Sequence, residues 1–363
     1  AVFADLHCNT GLIRFESREH LVPSWSPDGS RVAYTHGNGL FTIPAAGGEP
    51  IVVRSSALGE DRSGASFAGQ FESYLELESE ADFVTAVSSC WAALWSTRVL
   101  RYMATHGASP AETAMAVLVQ PLVPARVSGG GLSRTANGDM ILNATWGLGS
   151  SIAQGEVVPE RVVLTRDGKH RDTALGRKYH QVGCAHGPLF PRAMFSQPCL
   201  SEAQAIELGR ILRRVEDVMG MPVEIEWALD DAGFKLLQGR PLHTAPTPAP
   251  DDIWLRHPGL TGQPAGVGCG SGRGRVVKCE CELSLVAPGD ILITRVAGPA
   301  LSQILPRVAG VVAELGGSTS HLAALARERG IPMVLGVLDA TTRIPDGVQV
   351  AVDGVTGIVR WVQ

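Results

Sequence analysis

The stretch that most constrains this chain is residues 308–332, VAGVVAELGGSTSHLAALARERGIP. VAGVVAELGG is an apolar run closed by glycines, the pattern of a buried strand that ends in a tight turn. Leu322, Leu325, Ala326 and Arg329 then follow helical spacing, Gly330 offers a C-terminal stop and Pro332 forbids continuation. Thr319 or Ser320 supplies the N-cap, so the helix starts at or beside His321. A helix N-terminus presents unpaired N–H groups and the positive end of a dipole, which disfavours imidazolium and welcomes an anion. Neutral imidazole is the nucleophilic form, and a phosphorylated imidazole is an anion. His321 is thus placed to accept and release a phosphoryl group. A histidine that merely caps or packs at a helix start satisfies the same local pattern.

Short strands and turns surround this unit: GRVV, GDILIT, PMVLG, VQVAVDG and GIVRWV. Helices are expected around 300–305 and 321–329, which suits a small α/β swivelling domain over 257–363. Upstream, HTAPTPAPDD (243–252) holds three prolines and neither helical nor strand period. It is expected to be extended and exposed, with a linker drawn over 246–256. Residues 51–245 mix helical periods (76–107 and 201–219) with strands such as AVLVQPLV, MILNATW, RVVLTRD, VEIEWALDD and FKLLQGRPL. The fold class is therefore α+β and multidomain. Residues 1–50 differ: PSWSPDGSRVAYTHGNGLFTIPAAGGEP (23–50) reads strand, turn, strand, turn, with no second copy.

GGSTSH and ARERGIP resemble the phosphohistidine signature of the phosphoenolpyruvate-utilising family, and the flanks PGDILIT and VDGVTGIV agree with it. Upstream, VRSSALGEDRSGASFAGQFESYLEL, AVLVQPLV, NATWGLGSSIAQGEVVPERVVL and VEIEWALDDAGFKLLQGRPLHT resemble, in order, the ATP-grasp-like nucleotide module of the same family. The members concerned are phosphoenolpyruvate synthase, pyruvate phosphate dikinase and rifampin phosphotransferase. The resemblance implies ATP and Mg²⁺ as cofactors. Carried over position by position, it implies that Arg54 and Arg240 contact phosphates and that Gln120 lies on a nucleotide-side strand. Glu226 would hold the metal, and Gln238 would serve metal and nucleotide together. It makes His321 the phosphorylated residue, with Gly317, Thr319 and Ser320 around the phosphate. The chemistry is consistent: polyphosphate needs planar guanidinium donors and a carboxylate-held cation. A hairpin turning at Asp231-Ala232-Gly233 can bring Glu226 and Gln238 together.

Departures from the family pattern shape the expectation as much as the matches. Residues 1–50 contain no lysine and no glycine-rich turn leading into a helix, where the family has a phosphate-holding lobe. Instead they resemble one propeller blade, carried by SPDGSRVAYT. Ser150 stands where the family usually has Glu, and AGVGCG (265–270) replaces its usual Ser-Pro-Gly. The expected activity is transfer from ATP to His321 and on to a small acceptor: pyruvate, phosphate, a phenolic compound or an antibiotic. The rivals are a phosphocarrier or an inactive remnant charged by a partner, and a partner subunit could supply the missing lobe. A net charge of −5 argues against nucleic acid, and no 18-residue apolar run suggests a membrane span. The start, AVFADLHCNT, does not read as a signal peptide, and the seven scattered cysteines are expected to be reduced thiols, so the chain is expected in the cytoplasm.

Overall fold

The computed structural model describes residues 13–14, 24–25, 31–36, 39–44, 50–57, 60, 67–178, 192–242, 257 and 259–362. The expected linker over 246–256 and most of residues 1–50 lie outside these. The chain forms two compact units, Ala1–Val123 and Pro124–Gln363.

In the first unit, β1 (Ile13–Arg14) is followed by β2 (Ser24–Trp25), β3 (Arg31–His36) and β4 (Gly39–Pro44). Strands β2, β3 and β4 make an antiparallel sheet in that order, the strand–turn–strand pattern read from the sequence. A second antiparallel sheet adds β5 (Ile51–Ala57), β6 (Ser73–Leu77) and β7 (Met115–Pro121), in the order β1-β7-β5-β6. Two helices follow β6, each started by a serine cap: α1 (Glu80–Ala93) by Ser79 and α2 (Thr97–Thr105) by Ser96. Phe83, Ala86, Val87 and Cys90 of α1 pack on Val53, Val117 and Val119 of the sheet.

The second unit begins with a six-stranded antiparallel sheet. Its strands are β8 (Val127–Leu132), β9 (Met140–Trp146), β10 (Glu160–Leu164), β11 (His170–Ala174), β12 (Val223–Asp230) and β13 (Gly233–Pro241), in the order β11-β10-β9-β8-β12-β13. Between β9 and β10 lies the short α3 (Ser150–Ala153). The long α4 (Glu202–Met219) is fixed by a Ser201/Gln204 capping box and ends at Gly220 in the left-handed region. Its buried stripe, Ala205, Leu208, Leu212 and Val215, covers Leu142, Ala144, Val162, Ile225 and Trp227 on one face of the sheet. At the edge of that core the Lys178 ammonium meets Glu160 at 3.2 Å, both fully buried, and Glu160 also accepts from the Cys199 backbone N–H. Burial pushes the Cys199 thiol up to about 12.

The remainder is an eight-stranded mixed sheet. It comprises β14 (Gly259–Thr261), β15 (Gln263–Pro264), β16 (Cys269–Val277), β17 (Ile291–Thr294), β18 (Gly310–Ala313), β19 (Met333–Leu335), β20 (Gln349–Asp353) and β21 (Ile358–Trp361). The order is β14-β21-β20-β16-β17-β18-β19-β15, with β16 to β19 parallel. Parallel neighbours need crossovers, and α5 (His321–Glu328) is the one between β18 and β19. The helix α6 (Ala340–Arg343) lies between β19 and β20. Ile291, Ile293, Val312, Val334 and Val350 form the core of this sheet.

Two expectations change. Around 300–305 the chain forms 3₁₀ turns, Pro299–Gln303 and Leu305–Arg307: Pro299 opens the first, and Pro306, second in the next, lacks the N–H that would carry one regular helix through both. The cysteines are not all thiols: Cys279 and Cys281, just past the end of β16, are joined in a disulfide, while Cys90 and Cys199 are buried thiols. Among the described residues no helix is long and apolar enough to cross a membrane.

Candidate active site

Strand β18 runs through Glu314 and Leu315 into Gly316, whose φ of 104° only glycine adopts easily. Ser320 is the N-cap of α5; its hydroxyl accepts from the Ala323 N–H at 3.3 Å. His321 is the first residue of the helix and is half-buried. At the other end Gly330, φ 68°, closes the helix and the Ile331 N–H returns to the Ala326 carbonyl at 2.8 Å. Arg327, on the same helix, turns back to the loop: its Nη1 donates to the Ser318 carbonyl at 2.5 Å and to the Ala265 carbonyl at 3.1 Å.

The loop sits on the six-stranded sheet, on the face that α4 leaves uncovered. Register defines that face, because residues paired across adjacent strands point the same way. Gln238 pairs with Glu226, Glu226 with Gly130, Gly130 with Asn143 and Asn143 with Arg161, so these five form one transverse row. The alternate residues Ile225, Leu142 and Ala144 face α4. Thr319 lies against Gly130, where a Cβ would come within 2.6 Å of the Thr319 Cβ. The hydroxyls of Ser318 and Thr319 donate to the Asn143 amide oxygen at 2.7 and 3.1 Å. Around this contact, the Gly316 N–H donates to the Val157 carbonyl and Gln263 Nε2 to the Pro159 carbonyl, each at 3.1 Å. Arg177 Nη2 reaches the Glu314 carbonyl at 2.7 Å.

Two residues along, on the same face, Glu224 opposes Arg240. Its Oε2 accepts from Arg240 Nε at 3.3 Å and from Arg327 Nη2 at 2.7 Å, so a single buried carboxylate joins the sheet to the histidine helix. Burial alone would raise the Glu224 pKa, but the Arg240 and Arg327 guanidiniums outweigh it and hold the carboxyl below its usual range. Burial likewise lowers the pKa of Arg327, opposed by the Glu224 charge.

Glu226 and Gln238 therefore stand side by side, as the hairpin reading requires, on the face that receives the histidine loop. Of the residues expected around a phosphate, Gly317 packs on the Pro159 ring, Thr319 donates to Asn143 and Ser320 serves as helix cap. Arg240 is buried against Glu224. In the first unit, Arg54 pairs with Leu118 and Val52 with Gln120. Val53, Val117 and Val119 face α1, so Arg54 and Gln120 share the opposite face of that sheet. Ser150 opens α3, and its hydroxyl is buried without a hydrogen-bond partner among the described residues. Sequence reading did not single out Asn143, Glu224 or Arg327. The available signal for Asn143 was an amide set inside the otherwise apolar strand MILNATW.

Residues 40–253 match the family "Pyruvate phosphate dikinase, AMP/ATP-binding domain", and residues 286–357 match "PEP-utilising enzyme, mobile domain". The chain is 32% identical over 335 residues to the phosphoenolpyruvate synthase of Pyrococcus furiosus, covering 85% of this chain and 40% of that protein. It is 33% identical over 323 residues to a probable phosphoenolpyruvate synthase of Archaeoglobus fulgidus, covering 85% of this chain and 43% of that one. An uncharacterized phosphotransferase, YvkC of Bacillus subtilis, is 35% identical over 202 residues, which is 53% of this chain and 24% of that protein. The chain thus spans well under half the length of these relatives.

Proposed function

Because the chain belongs to the phosphoenolpyruvate-utilising phosphotransferase family, we propose that it moves a phosphoryl group from ATP to His321 and from there to a small acceptor. In the first step an N–P bond to the imidazole forms as a P–O bond of ATP breaks and the shortened nucleotide leaves; in the second an acceptor oxygen forms a P–O bond as the N–P bond breaks and the neutral imidazole is restored. The observation that carries this reading is the seating of the GGSTSH loop on the sheet face that bears Glu226 and Gln238. The nucleotide module would be of the ATP-grasp type, with Arg54 and Gln120 on its nucleotide side, Arg240 toward the phosphates, and Gly317, Thr319 and Ser320 about the phosphohistidine.

Mg²⁺ fits this chemistry. Among the described residues no group of three or more His, Cys, Asp and Glu could hold a metal by itself. One carboxylate and one amide side by side, Glu226 and Gln238, match an ion that takes most of its ligands from water and phosphate oxygens. When bound, the ion would offset phosphate charge; the protein's part is to fix those two side chains and to bring the histidine loop to their face. The acceptor falls in the class of pyruvate, phosphate, a phenolic compound or an antibiotic, and we expect the chain to act in the cytoplasm, alone or with a partner subunit completing the phosphate lobe.

The test is incubation of the chain with Mg·ATP labelled separately on the β and γ phosphorus, followed by mapping of acid-labile label. Label on His321, lost in His321→Ala, is the expected result. No label on either the chain or the variant overturns transfer from ATP.

A further inference from the structure

Asn143 is fully buried, carries no charge and is not among the residues the family resemblance assigns a role, yet it makes the most specific contact between the sheet and the histidine loop. Its amide has one possible orientation. Nδ2 lies 3.3 Å from the Glu160 carbonyl, which can only accept, so the nitrogen must face it. The oxygen then faces the loop and takes both the Ser318 and the Thr319 hydroxyl protons. A single acceptor thereby fixes two consecutive side chains lying 175 and 176 positions away in sequence. Gly130, the neighbour of Asn143 in the row, leaves the space that Thr319 fills. Arg327 holds the Ser318 carbonyl from the other side. The loop is thus held by its hydroxyls from the sheet and by its backbone from its own helix, and His321 follows two residues after Thr319.

The geometry points to Asn143 as a positioning residue for the phosphorylation of His321: its amide oxygen sets the loop so that the imidazole stands over the sheet face carrying Glu226 and Gln238. This rests on the transfer from ATP proposed above. Asn143 acts through Ser318 and Thr319 and stays off the reacting atoms. A reacting group displaced by an ångström loses rate by ~10²-fold, whereas ground-state affinity is set by other contacts.

The experiment compares the full chain with Asn143→Ala, with the double variant Ser318→Ala/Thr319→Val, and with all three changes combined. Three quantities are measured: the rate of His321 labelling at saturating Mg·ATP, the ATP dissociation constant by calorimetry, and backbone hydrogen exchange over 316–324 without nucleotide. Asn143→Ala is expected to slow labelling by about 10- to 100-fold, to leave the dissociation constant within about twofold, and to speed exchange over 316–324. The combined variant is expected to be no slower than the slower parent, because the same contact is removed once. A merely structural role would lower affinity and labelling together and give losses that multiply; either result overturns the assignment. If Asn143→Ala does not fold, Ser318→Ala, which removes the shorter of the two contacts at a residue given no part in holding the phosphate, decides the case by the same three readouts. If the unaltered chain takes no label, the function reading falls, and exchange alone judges Asn143: unchanged protection over 316–324 rejects it.

Discussion

Replacing Arg327 by methionine tests the buried link between the histidine helix and the sheet. The variant keeps most of the side-chain volume but removes the 2.7 Å contact to Glu224 and the donors to the Ser318 and Ala265 carbonyls. Breaking a buried ion pair from one side costs about 3–5 kcal/mol, and Arg240 remains to screen part of that loss. The penalty should depend on pH in a defined direction. In the native chain the two guanidiniums overcome the effect of burial and hold the Glu224 carboxyl below the usual carboxylate range. The stability this contributes is therefore fully present above pH 4.5 and is lost as pH falls through the lower folded value. Without Arg327, burial is opposed by Arg240 alone and the folded pKa rises. The difference between variant and parent is then largest near neutral pH. It shrinks on acidification once the variant's Glu224 protonates and levels off when the parent's Glu224 protonates as well. Urea unfolding followed by intrinsic fluorescence from pH 7 to pH 3.5 measures this. A penalty constant across that range would refute the assignment of Glu224 as the ionised partner of Arg327; a penalty under about 1 kcal/mol at pH 7 would show the link to be no stronger than a surface pair.

His321→Ala should abolish acid-labile phosphorylation while shifting the unfolding free energy by no more than about 0.5 kcal/mol, since the residue is half-buried at a first turn; a large loss of stability would mark it as a packing histidine. Glu226→Gln should cut Mg²⁺-dependent labelling of His321 by at least about tenfold, the effect of roughly 1.4 kcal/mol lost at the transition state, with an unchanged urea midpoint; equal labelling would remove it from the metal reading. Native chain treated with iodoacetamide at pH 8 should leave Cys199 unmodified, because its thiol is buried and titrates near 12; rapid alkylation there, seen by peptide mass, would contradict the placement.

The elements legible in the sequence were those with a clean apolar period. MILNATW, VEIEWALDD and FKLLQGRPL all lie on strands, and the helix predicted to open at His321 does so with Ser320 as its cap. The hairpin that sets Glu226 beside Gln238 could be read because its turn carries Asp231 and Gly233. Glycine hid the rest. VSGGGL forms β8 in the middle of its sheet, and CGSG opens β16, yet neither run carries an apolar alternation. In each case the reason is a distant neighbour: a Cβ on Gly129 would meet the Asn143 carbonyl oxygen at 1.8 Å, and one on Gly270 the Ala309 oxygen at 2.1 Å. Asn143, Glu224 and Arg327 were obscure for a related cause. Their contacts between the sheet and the histidine loop and helix span 103 to 176 positions, and no local period encodes such contacts.

The bare strand β8 has a consequence for anyone who wants to separate assembly from catalysis in this chain. Three consecutive positions there report on three different neighbours. A methyl group at Gly129 strikes the backbone of β9, one at Gly131 presses on Ile225 and Leu142 of the sheet and on Leu212 of α4, and one at Gly130 reaches Thr319 on the other side. Alanine at 129 or 131 is thus a measurement of the sheet's own integrity. Alanine at 130 is a measurement of whether the histidine domain can land, with a cost of about 1–3 kcal/mol if the loop must move aside. A single tripeptide, changed one residue at a time, becomes a built-in gauge that distinguishes a broken scaffold from a blocked approach.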